Sequence, residues 1–242
     1  MLASDGTVFV DARAHKTIWD GCVGARAHGA TVVRYAHDDP EALGRLLRRH
    51  PKAPRLVCMD GVNSMTGNPP RLPEFLALAR ANDALLYVDD AHGFGVIGER
   101  SRSETSPYGR RGNGVVRHLG ESYDHVVLTG GFSKAYSSLL AFVACPPELK
   151  RLLKVTAPPY LYSGPSPVAS LASVLVGLQV NEARGMTCGP SSGPGPSGSS
   201  TTWRSWGRSP STVPGSRSSR CPWPTPTISP RPAASCSTRA ST

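Results

Sequence analysis

Short apolar, β-branched runs alternate with segments of helical period from the first residues to about residue 185. Thr7-Val8-Phe9-Val10 predicts a strand, residues 17–26 a helix, residues 31–35 a strand, and residues 40–49 a helix with Asp38 and Asp39 in capping positions before Pro40. Leu56-Val57-Cys58-Met59 predicts a buried strand, and residues 72–81 a helix marked by Pro73-Glu74. Two further strands follow, Leu85-Leu86-Tyr87-Val88 and Val126-Val127-Leu128-Thr129, separated by a polar Gly/Arg-rich stretch over residues 99–123 that predicts a loop. Beyond it the pattern gives a strand at 139–144, a helix at 146–154, a turn at 158–164 and an apolar helix at about 167–182. Such βαβα alternation specifies an α/β fold with a mostly parallel sheet and helices on both faces. Ligands of these sheets bind outside the carboxyl ends of the strands, so residues 60–64, 89–92 and 129–134 are expected to share one edge.

Composition divides the chain in two, residues 1–186 as a folded domain and residues 187–242 as a tail. The tail is built mainly from Ser, Pro, Thr, Gly and Arg, with Trp203, Trp206 and Trp223 isolated among polar residues. It has no helical or strand period and is expected to be disordered. A well-patterned chain that loses its pattern after Gly185 also suggests a shifted reading frame. The net charge of +10 contains six tail arginines; the folded part carries +4, spread as single residues and short pairs. That distribution argues against a nucleic-acid-binding role. No CxxC pair occurs among the six cysteines, which gives no support to a zinc site or a disulfide framework. The absence of a secretory pattern or a long apolar run predicts a cytoplasmic protein that does not enter a membrane.

The chemistry lies in two segments. Val88-Asp89-Asp90-Ala91-His92-Gly93 ends a strand with two carboxylates and a histidine, and Gly130-Gly131-Phe132-Ser133-Lys134 places an amine in a small-residue turn after the next strand. An acid able to hold a pyridine nitrogen protonated, a histidine and a Schiff-base amine suit pyridoxal phosphate. Asp90 reads as the structural carboxylate of the pair, and His15, after the first strand, reads as structural.

Three blocks, Asp60-Gly61-Val62-Asn63-Ser64-Met65-Thr66-Gly67, residues 88–99 and Ser133-Lys134-Ala135, resemble the α-oxoamine synthases, which are fold-type-I pyridoxal phosphate enzymes that include 8-amino-7-oxononanoate synthase. The resemblance covers roughly residues 7–185. It implies the large cofactor-binding domain of the aminotransferase class I/II fold, incomplete at both ends. It implies that Lys134 is the Schiff-base lysine, Asp89 the partner of the pyridinium nitrogen, His92 a contact of the phenolic oxygen and Ser64 a polar cofactor contact. Ser163 resembles a hydroxyl offered to the phosphate across a homodimer interface.

The implied activity is decarboxylative condensation of an amino acid with an acyl-CoA. The alternatives are a pyridoxal phosphate-dependent aminotransferase and a truncated, inactive fragment of such an enzyme. Two departures stand out. Gly131 occupies the place where the family often has a phosphate-binding Thr or Ser, and the ring-stacking residue is expected from a segment preceding Thr7.

Overall fold

A computed structural model describes residues 5–187 of the chain. The order of elements is β1 (Thr7–Asp11), α1 (Lys16–Ala27), β2 (Thr31–Tyr35), α2 (Pro40–Arg49), β3 (Arg55–Asp60), α3 (Leu72–Ala81), β4 (Ala84–Asp89), α4 (Val115–His118), β5 (Val126–Gly131), β6 (Ala141–Ala144), α5 (Pro147–Thr156), α6 (Pro158–Tyr162) and α7 (Val168–Thr187). The strands form one sheet in the order β2-β1-β3-β4-β5-β6. β1 to β5 are parallel, and β6 returns antiparallel to β5. The chain reverses its direction of travel across the sheet between β1 and β3, so those two carboxyl ends flank the switch point where such sheets open a crevice.

Period-two alternation divides the sheet's side chains between two apolar layers. On one face Phe9, Val57, Met59, Leu86 and Val88 pack with Leu43 and Leu47 of α2 and Leu72, Phe75 and Leu76 of α3. On the other, Val8, Val10, Leu56 and Cys58 pack beneath Ile18 and Cys22 of α1, with Leu85 and Tyr87 partly buried beside them. β1 is buried at every position, which fits its central place. α2 has the predicted bounds: Asp39 accepts a hydrogen bond from the Ala42 amide at 2.7 Å, Pro40 opens the first turn, and Arg48 and Arg49 lie in the last turn, where the helix dipole favours cations.

Three expectations change. The 99–123 stretch is not loop throughout, because Val115 and Val116 are fully buried and fold into the short α4. The 158–164 turn is mostly helix α6. The last helix runs beyond residue 182 to Thr187, across the expected domain boundary, and the predicted tail lies outside the described residues. No helix among the described residues is long and apolar enough to cross a membrane.

Candidate active site

Parity decides which carboxylate faces which layer. In β4, Leu85, Tyr87 and Asp89 fall on the α1 side, whereas Leu86, Val88 and Asp90 fall on the α2/α3 side. In β3, Leu56, Cys58 and Asp60 share the α1 side, and Asp60 is registered against Asp89, which in turn is registered against Thr129 of β5. Three polar side chains therefore stand in a row at the carboxyl edge, each at the end of an apolar row beneath it.

Asp89 is half-buried. Its Oδ1 accepts the Ala91 amide at 3.2 Å, and its Oδ2 has no hydrogen-bond partner among the described residues. His92, in the turn that follows, has its pKa lowered, first by burial and then by the positive charge of Lys134, while Asp89 pulls the other way. Lys134 and Asp89 thus act on the imidazole with opposite sign. Lys134 itself is exposed and makes no salt bridge among the described residues. Ser64 is half-buried, and its hydroxyl has no hydrogen-bond partner there.

The Lys134 turn is fixed from behind. Phe132 donates its amide to the Leu140 carbonyl at 2.9 Å, and Ser138 returns its amide to the Phe132 carbonyl at 2.9 Å. Phe94, two residues past His92, meets the rings of Phe132, Tyr136 and Phe142 at centroid distances of 5.5, 5.9 and 4.9 Å. Such pairs contribute about 0.5–1.5 kcal/mol each beyond their area. The two chemistry-bearing segments are thus locked to each other by one aromatic cluster. Gly95 allows this: its φ is +82°, and a Cβ there would lie 2.6 Å from the Tyr136 ring and 2.7 Å from the Ala135 Cβ.

Asp90 is structural, as expected. Its carboxylate is buried against α4, where Oδ2 accepts the Val115 amide at 2.7 Å. A Cβ on Gly61, Gly93 or Gly114 would come within 2.2–2.5 Å of its oxygens, so all three glycines permit close backbone approach. Burial raises its pKa to about 7. The Val62 and Gly93 amides face the carboxylate and partly oppose that rise, yet Oδ1 completes no hydrogen bond.

His15 is more than the structural residue expected from sequence. It caps α1, its Nδ1 accepting the Thr17 amide at 3.4 Å, but it also stands exposed at the carboxyl edge, where its backbone N–H donates to Asp60 Oδ1 at 3.0 Å. Its place directly after a central strand was the available signal. Thr129 is committed elsewhere: its hydroxyl donates to the Tyr87 hydroxyl at 3.0 Å. Ser163 is not brought into this group. It is exposed after α6, with its hydroxyl turned back to the Pro159 carbonyl. A cavity of about 210 Å³ opens at the switch point, lined by Asp11, Arg13, His37, Asp60 and Asn63 among others; it lies beside Asp60 and is not lined by Asp89 or Lys134.

Comparison with known proteins identifies the family. The aminotransferase class I and II family model matches residues 5–186. The 8-amino-7-oxononanoate synthase of Cupriavidus taiwanensis is 37% identical over 180 residues, covering 74% of this chain and 41% of that protein. The enzyme of the same name from Polaromonas naphthalenivorans is 38% identical over 166 residues, covering 69% and 37%. Among solved structures, serine palmitoyltransferase from S. paucimobilis with a bound PLP-myriocin aldimine superposes with a TM-score of 0.62 at 29% identity, covering 75% of this chain and 42% of that one. The Sphingomonas wittichii serine palmitoyltransferase gives 0.64 at 27%, with the same coverage. The chain spans about two fifths of the length of the curated relatives it matches. With its parallel sheet, its acid and histidine after β4 and its lysine after β5, the chain belongs to the aminotransferase class I and II family.

Proposed function

We propose that this chain carries the cofactor-holding part of a pyridoxal phosphate-dependent acyltransferase of the 8-amino-7-oxononanoate synthase type, which joins an amino acid to an acyl-CoA with loss of carbon dioxide. The observation that carries the reading is the set of polar atoms at one strand edge without a hydrogen-bond partner among the described residues, namely Asp89 Oδ2, Ser64 Oγ and Lys134 Nζ, together with a His92 imidazole whose pKa is lowered. A pyridine nitrogen needs an anionic acceptor, a phenolic oxygen a polar neighbour, and an aldehyde a free amine. The residues present fit the group.

When bound, the cofactor supplies an electron-withdrawing ring that stabilises negative charge on a substrate carbon. Asp89, through the oxygen not used by the Ala91 amide, would hold a proton on the ring nitrogen. Lys134 would hold the cofactor covalently through Nζ, the amine that would also serve as acid and base toward the substrate carbon. His92, kept neutral by burial and by the Lys134 charge, offers a hydrogen bond without adding a second cation. Ser64 contributes a hydroxyl contact. Gly131 offers no hydroxyl, and Thr129 is engaged with Tyr87, so phosphate anchoring falls to other groups.

Ser163 and the exposed apolar residues of α6 and α7 support a homodimer in which Ser163 faces the partner's site. Free thiols at Cys22, Cys58 and Cys145 support a reducing, cytoplasmic setting. An aminotransferase would use the same lysine and acid with a keto acid as second substrate; the named relatives favour the acyl-CoA reading. Titrating the chain with pyridoxal phosphate tests the proposal. A visible absorbance band is expected that is lost in Lys134→Ala, and thiol release from an acyl-CoA in the presence of an amino acid is the expected activity. A band that survives Lys134→Ala would refute the assignment of the lysine.

A further inference from the structure

Asp60 ends β3 at the switch point of the sheet, and its two carboxylate oxygens are engaged by different loops, one after β1 and one after β3. Oδ1 accepts the backbone N–H of His15 at 3.0 Å, and Oδ2 accepts the side-chain amide of Asn63 at 3.3 Å. The orientation of Asn63 is fixed. Its own oxygen accepts the Met65 and Thr66 amides at 3.0 and 3.1 Å and the Thr66 hydroxyl at 3.4 Å, so only its NH₂ is left for Asp60 and for the Arg13 carbonyl at 3.4 Å. The Gly67 amide closes the same loop on the Asn63 carbonyl at 2.8 Å. One loop carries His15 and the other carries Ser64. The carboxylate is thus an acceptor on both sides, a role that no neutral side chain of its size can fill without losing one loop.

We propose that Asp60 is a positioning residue: it ties the β1–α1 loop to the β3–α3 loop, so that His15 and Ser64 stand as walls of the Asp89–Lys134 site. It touches neither the reacting atoms nor the cofactor. Its effect passes through His15 and Asn63, and its distance from Lys134 in the sheet keeps it out of the proton-carrying role. The inference rests on the reading of that site as a pyridoxal phosphate site.

Two variants separate the two links. Asp60→Ala removes both acceptors. Asp60→Asn retains an oxygen for the His15 amide but presents an NH₂ to the fixed NH₂ of Asn63, and so breaks only the second link. Amide hydrogen exchange, measured on the 242-residue chain without cofactor, reads the links directly. In Asp60→Ala, exchange at His15 and at Met65, Thr66 and Gly67 is expected to rise by about tenfold, the loss associated with one charge-assisted hydrogen bond. In Asp60→Asn, only Met65, Thr66 and Gly67 should respond. A purely structural defect would instead raise exchange across β1 and β3 together, and if Asp60→Ala does so by unfolding, the selective pattern in Asp60→Asn decides. Titration with pyridoxal phosphate, followed by the Lys134-dependent band, is the second arm, with the dissociation constant expected to rise about tenfold in either variant. Wild-type exchange at both loops in both variants overturns the positioning role whatever the cofactor does. A band in the parent chain with unchanged affinity in both variants also overturns it. Absence of any Lys134-dependent band in the parent chain overturns the reading of the site, while the exchange pattern still decides whether Asp60 couples the loops.

Discussion

Asp89 and Asp90 are adjacent in sequence and opposite in role, because successive strand residues point to opposite faces. Asp89 keeps an oxygen free at the edge, whereas Asp90 is buried with its pKa raised to about 7 from an ordinary value of 3.8. A carboxyl group whose pKa is higher in the folded than in the unfolded state holds its proton more tightly when folded. Its contribution is therefore fully present below about pH 4 and is lost as pH rises through about 7. Asp90→Asn retains an oxygen for the Val115 amide and does not ionise. Between pH 5 and pH 8 the parent chain should lose stability relative to this variant, on the order of a few kcal/mol. Thermal melts of both proteins across that range provide the measurement; parallel pH profiles would show that Asp90 does not titrate there. Asp90→Ala, by contrast, should destabilise at every pH by about 1–3 kcal/mol, since it leaves the buried Val115 amide without an acceptor.

The two site-bearing segments cohere as elements because the turn after β4 packs on the turn after β5. Gly95 is the point of closest approach, and two separate physical reasons forbid a side chain there. The left-handed conformation costs an L-residue about 1–2 kcal/mol, and the added methyl would collide with Ala135 and Tyr136. Gly95→Ala is expected to lower the thermal midpoint and, more sharply, to weaken cofactor uptake by shifting the turn that carries Lys134. Melts and cofactor titrations on the same variant separate the two effects. Equal uptake by variant and parent would mean that the aromatic cluster does not set the lysine's position. The β4 and β5 ends obey similar logic: Thr129 has the right chemistry for an anion but is held by Tyr87 on the neighbouring strand, a cross-strand relation invisible in a linear pattern.

At the scale of the whole molecule, apolar surface is unevenly covered. Leu139, Tyr162 and Val168 are each more than 80% exposed, and α7 buries only Val174 among its described residues. Exposed apolar surface of this extent favours association. The chain should therefore run larger than a monomer in light scattering at micromolar concentration, and Tyr162→Ser with Val168→Ser should shift it toward the monomer; a monodisperse parent monomer would contradict this. The alternation of apolar runs was legible from Thr7 onward and determined the α/β class, the strand positions and the edge at which Asp89, His92 and Lys134 would meet, because strand period, helix period and the carboxyl-edge rule are local or topological properties. The bounds of α2 and α3 were legible for the same reason, through proline and capping signals. Burial folded Val115 and Val116 into a helix within a stretch whose composition resembles a loop. The hydrogen bonds that tie Asp60 to the His15 amide and to Asn63, the separation of Ser163 from the other site residues and the commitment of Thr129 to Tyr87 were decided only by tertiary structure. Each depends on which strands become neighbours and in what register, and a hydrogen bond between Asp60 and a residue 45 positions away leaves no periodic trace in the sequence.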